Sequence, residues 1–223
     1  MQANEVLVRL KALESPKDRE GMARFGIKPG HALGISMTKL RAIAKEIGRD
    51  HELALELWTS GIHEARLLAT VIDDPLLVTK QQMQTWVEDF DSWDLCDQAC
   101  MNLFWRTEDG VEMAFEWAER DEEFVKRASF ALMARFATKR AKASDELLES
   151  FLPIIEKASD DDRNFVRKAV NWALRQIGKK NARLNQVAIE CAERIRAQNT
   201  KSSRWIASDA LKELKSDKIR ARL

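Results

Sequence analysis

The amino-acid sequence predicts an all-α protein built from consecutive pairs of amphipathic helices. The first observation is composition: Leu, Ala, Glu, Lys and Arg dominate the 223 residues, beside eight Gly, four Pro and no Tyr. These residues favour helix, and the alternating Val- and Thr-rich runs typical of strands are few. The second observation is periodicity, because apolar residues recur at helical spacing in segments of about 10–17 residues.

The periodicity predicts helices separated by short breaks along the whole chain. The predicted segments are 3–14, 17–25, 36–48, 51–60, 63–73, 79–90, 92–106, 109–119, 122–138, 145–158, 162–178, 181–197 and 202–214. Capping side chains precede several of them, at Ser36, at Ser144 or Asp145, and at Asp160 or Asp161. Gly48 and Gly178 are predicted to close two helices as C-cap glycines.

An internal repeat identifies the architecture. The segment "FVKRASFALMARFA" from Phe124 and the segment "FVRKAVNWALRQIG" from Phe165 begin alike and are offset by 41 residues. The same offset carries Ala128 onto Ala169. Helix pairs that repeat every ~40–47 residues are typical of HEAT-like solenoids, whose second helices line an extended concave face. We therefore predict a HEAT-like helical-repeat superhelix (an α-solenoid), with an irregular helical bundle as the alternative.

Charge is distributed unevenly along the chain. Residues 1–120 hold 14 Lys and Arg against 21 Asp and Glu, whereas residues 121–223 hold 23 against 15, and the formal net charge is +1. A basic half predicts a concave basic face that meets a polyanion, and long solvated helices of mixed charge are the alternative. We expect one HEAT-like repeat domain over 1–223, with 215–223 a basic, poorly structured tail.

Several functional classes are disfavoured by what the sequence contains. No run approaches the ~18 apolar residues of a membrane span, and the N-terminal stretch is charged, so we expect a cytoplasmic protein without membrane partners. Cys96, Cys100 and Cys191 are predicted to be buried small hydrophobes rather than metal ligands, because zinc requires four convergent ligands. The three histidines are scattered, and none pairs with a plausible nucleophile.

Helical wheels separate packing faces from polar stripes in the repeated helices. In the second repeated helix the packing face comprises Phe165, Val166, Ala169, Ala173 and Ile177. Beside it runs a stripe of Lys168, Trp172, Arg175 and Lys179. Cations interleaved with an aromatic ring suit a sugar-phosphate backbone, and the alternative is that Trp172 covers the edge of the core under basic side chains. In the first repeated helix, Arg127 lies in a stripe with the small residues Ala131 and Ala134, which would let a bulky partner approach.

The stretch "DSWDLCDQACMNLFW" (91–105) contains three aspartates at three-residue spacing. Asp91 is predicted as the N-cap of a helix and Asp94 as the acidic member of a capping box. Asp97 lies one turn further on, has no capping role, and is predicted to be half-buried beside Trp93. The predicted packing face is Leu95, Cys96, Ala99, Cys100 and Leu103. A solvated carboxylate, or one bonded to a neighbouring helix, is the alternative for Asp97.

Three motifs together resemble the AlkD-like alkylpurine DNA glycosylases, a DNA alkylation repair family. They are "SWDLCD" (92–97), "EFVKRASFAL" (123–132) and "FVRKAVNWALRQIGK" (165–179). Similarity extends through "FGIKPGHALGISMTKLRAIAKEIG" and "LWTSGIHEARLLATVIDD", so it covers roughly residues 22–213. The fold of that family is a HEAT-like superhelix, which agrees with the repeat.

The resemblance implies a DNA glycosylase that removes positively charged N3- and N7-alkylated purines from double-stranded DNA, without a cofactor and as a monomer, associated with the nucleoid if the protein is bacterial. The implied reaction hydrolyses the N-glycosidic bond through an oxocarbenium-like transition state. The implied catalytic residues are Asp97, Trp93, Arg127 and Trp172. The cations expected to bind DNA are Lys126, Arg163, Lys168, Arg175, Lys179, Lys180 and Arg204.

One difference from the family prototype and the range of activity within the family keep other functions open. The family prototype has two adjacent tryptophans where this chain has Ser92 and Trp93, and some branches of the family have weak or no glycosylase activity. The alternatives are therefore a non-catalytic binder of distorted or branched DNA and a HEAT-type protein-interaction scaffold.

Overall fold

The computed structural model describes residues 1–27 and 29–223, and within that part of the chain the regular structure is helical. The all-α prediction is confirmed. The α-helices are α1 (Ala3–Ala12), α2 (Pro16–Ala23), α3 (Met37–Ile47), α4 (His51–Thr59), α5 (His63–Ile72), α6 (Lys80–Glu88), α7 (Trp93–Asn102), α8 (Gly110–Glu116), α9 (Glu123–Phe136), α10 (Asp145–Ser150), α11 (Leu152–Lys157), α12 (Asn164–Gly178), α13 (Ala182–Ala197), α14 (Lys201–Leu214) and α15 (Asp217–Arg220). Short 3₁₀ turns lie at Pro29–His31, Phe104–Arg106, Trp117–Glu119 and Ala158–Asp160.

Two predicted segments differ in the structure. The helix predicted over 145–158 divides at Phe151, because Pro153 follows it in the first turn of α11, where a residue without an N–H is tolerated. Within 215–223, expected to be a poorly structured tail, α15 forms and Ile219 is buried. An apolar side chain that finds a place in the core orders this short segment.

Helix ends follow the predicted capping residues at three places. The Ser36 and Ser144 hydroxyls accept hydrogen bonds from the backbone N–H three residues on, at 3.5 and 3.2 Å. Gly48 closes α3 with φ of +80°, a conformation that costs glycine little. At these ends the local sequence alone is sufficient to terminate the helix.

The predicted start of α12 at Asp160 or Asp161 is wrong. The helix begins at Asn164 with Arg163 as N-cap, and the Asp161 carboxylate accepts from the backbone N–H of Arg163 at 3.0 Å. Residues up to Asp160 instead form a 3₁₀ turn. The acidic side chain therefore caps a turn that precedes the helix.

The prediction of Gly178 as a C-cap is wrong, since it is the last residue of α12 and Lys179 is the C-cap. A Cβ atom at Gly178 would lie 2.7 Å from Leu214 Cδ2 and 2.9 Å from Ala188 Cβ. The glycine therefore permits three helices to approach closely, which is a requirement of packing rather than of backbone conformation.

The chain divides into two compact units. Residues Met1–Asp109 form the first unit, in which α5 packs against α3, α4 and α7. Glu64 of α5 is fully buried and accepts hydrogen bonds from the N–H groups of Leu33, Gly34 and Ile35 at 2.7, 2.7 and 3.1 Å. This carboxylate replaces water for three backbone donors and fixes the segment that leads into α3.

Residues Gly110–Leu223 form the second unit, in which α12 packs between α9 and α14 and α13 packs against α12 and α14. The predicted packing positions Ala128 and Ala169 are fully buried, and the rings of Phe124 and Phe165 lie 5.5 Å apart. The repeat read from the sequence is thus a repeat of packed helices.

Polar contacts between successive helix pairs follow a similar interval. The Ser202 hydroxyl donates to the carbonyl of Asp161 at 2.7 Å, and the Asn171 amide donates to the Asp209 carboxylate at 2.7 Å. Their separations are 41 and 38 residues, equal to the 41-residue repeat in the first case and three residues shorter in the second. Each repeat therefore satisfies buried polar groups of its neighbour as well as covering its apolar face. That 1–223 forms one domain remains a prediction.

Along the described residues, no helix combines the length and the apolar character that crossing a membrane requires.

Gly178 of α12 and Gly21 of α2 are expected to respond in opposite ways to replacement by alanine. Gly178→Ala introduces overlap with Leu214 and Ala188 and is expected to lower the free energy of unfolding by about 1–3 kcal/mol. Gly21→Ala meets no atom within 4 Å and is expected to be neutral or to stabilise by up to about 1 kcal/mol. Urea unfolding of each variant against wild type measures both, and equal effects would contradict the packing explanation.

Candidate functional site

The first turn of α7 holds the candidate catalytic residues of the first unit. The helix begins at Trp93, and Ser92, fully buried, is its N-cap, so the prediction of Asp91 as N-cap is wrong. Asp94 does not complete a capping box either; its Oδ2 lies 2.8 Å from His63 Nε2 on α5. Tertiary packing of α5 against α7 has therefore replaced a local cap with a contact between helices.

The His63–Asp94 pair is largely buried, with side chains that are 5% and 17% exposed. Burial lowers the pKa of His63, but the hydrogen bond and charge of Asp94, with the charges of Glu64 and Asp91, raise it above its ordinary value of 6.5. Burial raises the pKa of Asp94, but the hydrogen bond and charge of His63 bring it below its ordinary 3.8. Each group thus stabilises the charged form of the other.

Trp93 is half-buried, and its indole orientation is fixed by a hydrogen bond. The Nε1–H group donates to the carbonyl of Phe25, in the turn that follows α2, at 2.9 Å. The indole is therefore held at its edge while part of its surface stays exposed.

Asp97 lies one turn beyond Trp93 and is half-buried, as the wheel predicted. The predicted packing face of α7 is confirmed, because every one of its members is at most 1% exposed: Leu95, Cys96, Ala99, Cys100 and Leu103. Asp97 is therefore at the margin of the core, where a carboxylate is only partly hydrated and its field is correspondingly stronger.

The three cysteines are buried, as expected. Cys96, Cys100 and Cys191 are in the thiol form rather than in disulfides, and burial raises the pKa of Cys191 to about 12. A thiol in this state is not a nucleophile near neutral pH.

Arg127 of α9, in the second unit, is only 6% exposed. Its Nη1 donates to the carbonyl of Phe165 in the first turn of α12 at 2.7 Å. The neighbouring Ala131 and Ala134 are fully buried, so the prediction that this stripe is open to a bulky partner is wrong. The guanidinium contributes at least one hydrogen bond to the packing of successive repeats.

The predicted stripe on α12 contains three cations, and two of them lie beside a carboxylate of α14. Trp172 is half-buried and Lys168 is exposed. Arg175 and Lys179, however, both bond the Glu213 carboxylate of α14, at 2.8 and 3.0 Å. Burial raises the pKa of Glu213, but Lys179 and Arg175 bring it below its usual value, so the acid stays ionised. The Asp209 carboxylate of α14 lies a further 3.5 Å from Arg175, so the next repeat supplies two acids to two of the three cations.

The other predicted cations also have partners within the second unit. Arg163 pairs with the Asp161 carboxylate and donates to the carbonyl of Asp121. Lys126 is half-buried and lines a cavity of about 560 Å³ whose wall includes the same two aspartates and Arg163. The residues around Arg163 and Lys126 are therefore mainly acidic, and they do not favour binding of a polyanion.

Lys180 and Arg204 form hydrogen bonds to carbonyl groups rather than ion pairs with carboxylates. The Lys180 ammonium lies 3.4 Å from the carbonyl of Thr138, and the exposed Arg204 donates to the Asn199 carbonyl at 3.1 Å. Both side chains bond neutral groups, so they keep an uncompensated charge that can meet a phosphate.

A cationic stripe on α14 was not predicted. The exposed residues of this helix are Lys201, Arg204, Trp205, Ser208 and Lys212. The two acids of α14, Asp209 and Glu213, instead face α12, where they accept from Asn171, Arg175 and Lys179. The fully exposed positions of α14 therefore carry three cations and one aromatic ring, although the Asp209 side chain beside them is 43% exposed.

Trp205 is 37% exposed, and the Arg167 guanidinium lies over its ring at 5.0 Å from the centroid. A wheel drawn on 201–214 would have found this stripe. The 41-residue offset did not reveal this stripe, because it aligns Lys168 of α12 with the acid Asp209 of α14. In the structure, α12 and α14 meet at an offset of 38 residues, as in the contact between Asn171 and Asp209.

Comparison with known proteins identifies the family. The family model described as DNA alkylation repair enzyme matches residues 6–214. The chain belongs to the DNA alkylation repair enzyme family. The match covers α7, α9, α12 and α14, so the resemblance inferred from the sequence motifs is confirmed.

Similar proteins agree with the fold. Uncharacterized protein Lin0241 of Listeria innocua serovar 6a is 22% identical over 190 residues, with 83% of each chain covered. A solved structure described as "A new family of proteins related to the HEAT-like repeat DNA glycosylases with affinity for branched DNA structures" has a TM-score of 0.81 and 20% identity, covering 100% of this chain and 96% of that chain. The HEAT-like repeat fold is thereby confirmed for this member of the DNA alkylation repair enzyme family.

The His63–Asp94 pair predicts a pH-dependent contribution to stability. The raised pKa of His63 gives stability that is complete below 6.5 and is lost as pH rises through the folded-state pKa. The lowered pKa of Asp94 gives stability that is complete above 3.8 and is lost as pH falls. Asp94→Asn is therefore expected to cost most between those values, by about 1–3 kcal/mol.

Thermal unfolding of wild type and Asp94→Asn across pH 4–9, with the exposed Asp162→Asn of the second unit as the matched control, measures this window. A difference between wild type and Asp94→Asn that grows steadily above pH 7 would exclude the charged pair.

Proposed function

We propose that this member of the DNA alkylation repair enzyme family is a DNA glycosylase that excises N3- and N7-alkylated purines from duplex DNA. The observation that carries the proposal is the arrangement on α7, where the half-buried Asp97 lies one turn from the oriented indole of Trp93. A carboxylate at this depth and an aromatic face beside it suit a cationic transition state.

The proposed chemistry needs no strong general acid. Alkylation gives the purine a positive charge, so the electron pair of the breaking C1′–N bond neutralises the leaving base. Water supplies the oxygen that bonds to C1′, and its proton passes to Asp97 or to solvent. The ionised Asp97 stabilises the oxocarbenium-like sugar and orients that water.

The aromatic residues are assigned to the electron-poor sugar. Trp93 offers a ring face whose orientation its hydrogen bond to Phe25 maintains. Trp172, half-buried on α12, is proposed to contact deoxyribose in the same way. Both assignments follow the resemblance of the motifs around 92–97 and 165–179.

Binding of the DNA backbone is assigned to the cations whose charge is not offset by a neighbouring carboxylate. In the second unit these are Lys168, Lys180, Arg204 and the α14 residues Lys201 and Lys212. Arg127 is proposed to hold α12 in place through Phe165, and through it any phosphate that α12 binds. Arg175 and Lys179 contribute less, because Glu213 and Asp209 already offset their charge.

Base release is the direct test of the catalytic proposal. Asp97→Asn is expected to lower single-turnover release of 7-methylguanine and 3-methyladenine from methylated duplex DNA by roughly 10²–10⁴-fold, while DNA affinity changes little. Asp91→Asn, an acid two residues before the same helix, is the matched control and is expected to retain activity. If wild type releases no base above the spontaneous rate, the catalytic proposal is wrong.

A second candidate is a non-catalytic binder of branched DNA. It is favoured by the structural relative whose description includes affinity for branched DNA, and by the cations of α14, which bind a backbone without reading bases. The same surface serves both functions, so binding alone does not separate them; base release does.

The surface of α14 can be tested independently of catalysis. The double variant Lys201→Ala/Lys212→Ala is expected to weaken binding to duplex and four-way-junction DNA and to reduce the slope of log affinity against log salt by about 2. Lys11→Ala/Lys45→Ala, two exposed cations of the first unit, is the charge-matched control. Equal losses in both double variants would show a general charge effect and exclude a specific α14 surface.

A further inference from the structure

The interface between α12 and α14 repeats one offset over three successive turns. Three side chains of α12 each contact the α14 residue that lies 38 positions further along the chain, in the pairs Arg167–Trp205, Asn171–Asp209 and Arg175–Glu213. In the second and third pairs a carboxylate accepts from the α12 side chain, at 2.7 and 2.8 Å. In the first pair an indole lies where the other two turns place an acid.

Arg167 is therefore held by an aromatic ring rather than by a carboxylate. Its guanidinium carbon lies 5.0 Å from the centroid of the Trp205 ring. Its Nη2 donates to Asn164 Oδ1 over a long 3.5 Å, and a neutral amide does not offset the charge. An acid at position 205 would join the two helices as Glu213 does. Packing of α12 against α14 thus gives no reason for an indole at this place.

The exposure of Trp205 indicates what the indole is for. Trp205 is 37% exposed, whereas Trp117 of the same unit is fully buried and Trp172 is half-buried. Apolar surface left in water is unfavourable, so an exposed indole suits a surface that a ligand covers. The guanidinium of Arg167 fixes the ring from one side before any ligand arrives. Ser208, one turn further along the exposed side of α14, is small and leaves space beside the ring.

Cations lie before and after this ring along α14. Lys201, one turn earlier, and the adjacent Arg204 are both exposed, and Lys212 is exposed about 10 Å further along the helix axis. The acid Asp209 is 43% exposed, but it lies 3.5 Å from Arg175, which offsets part of its charge. A flat apolar group between cations suits a nucleic-acid strand, whose phosphates lie on either side of each base.

An indole at an exposed helix surface selects the state of that strand. In a continuous duplex each base is stacked between its neighbours, so its faces are not accessible to a side chain. In an unpaired stretch the faces are open, and stacking of a base on an aromatic ring adds to the affinity that cations gain from phosphates. Every base has a π-face, so such a site accepts any base.

We propose that Trp205, held in place by Arg167, is a stacking site for an unpaired base of DNA. The inference rests on the proposed binding of DNA by α14 and is independent of base excision. It gives the cationic surface of α14 a preference for gapped or single-stranded DNA over continuous duplex, because both present phosphates but only the former presents open base faces. The site requires neither an alkylated base nor a pocket.

Fluorescence anisotropy with two end-labelled DNAs tests the site. Each DNA is a duplex with a short single-stranded gap, which contains thymidines in one and propanediol spacers with the same number of phosphates in the other. Wild type is expected to bind the thymidine gap roughly fivefold or more tightly than the spacer gap. Trp205→Ala is expected to bind both equally, and Trp205→Phe to keep part of the preference. Leu76→Ala, which shortens a side chain of the first unit that is 84% exposed, is the matched control.

Two further measurements separate the ring from the charges. Lys201→Ala/Lys212→Ala is expected to weaken binding of both gapped DNAs by the same factor, because the phosphates are common to them. Oligothymidylate is expected to quench the tryptophan fluorescence of wild type more than that of Trp205→Phe, because a stacked base quenches an indole.

Equal affinity of wild type for the two gaps overturns the proposal, and so does a preference that survives in Trp205→Ala. Neither result bears on catalysis, which is measured by base release. A chain that releases bases without this preference retains the glycosylase proposal and loses the stacking site. A chain with the preference but without base release does the reverse.

Discussion

Burial of one helix pair against the next is the constraint on which the second unit depends. A single amphipathic pair exposes an apolar face that only a neighbouring pair can cover. Gly178 shows how close the approach is, because even one methyl group there would meet both α13 and α14. The hydrogen bonds Ser202–Asp161 and Asn171–Asp209 join the same neighbours, so apolar burial and polar satisfaction act at one interval.

The same kind of packing builds the candidate catalytic helix in the first unit. Because α5 lies against α7, His63 meets Asp94 in the first turn of α7. The turn after α2 supplies the carbonyl that holds Trp93. Asp97 is then placed at the edge of the core by helical geometry alone, one turn further along. Orientation of the indole is therefore a product of contacts from two other parts of the unit.

Helix packing also decides which cations lie beside a carboxylate and which do not. Arg175 and Lys179 belong to a basic stripe when α12 is considered alone, but α14 presents Glu213 to both of them. With its acids turned toward α12, α14 keeps a basic surface around Trp205. A polyanion attracted to the second unit thus meets α14 more favourably than the middle of α12.

The sequence by itself determined the helical class, the repeat, the buried face of α7 and the half-buried position of Asp97. These depend on periodicity, which is local and encoded in residue spacing. Only the tertiary structure decided that Asp94 pairs with His63, that Glu213 offsets the charge of Arg175, that α14 carries the open basic stripe, and that the Phe25 carbonyl holds Trp93. Those outcomes join residues about 31 to 68 positions apart, and the register between helices that brings such residues together is set by side-chain packing, which no single helix contains.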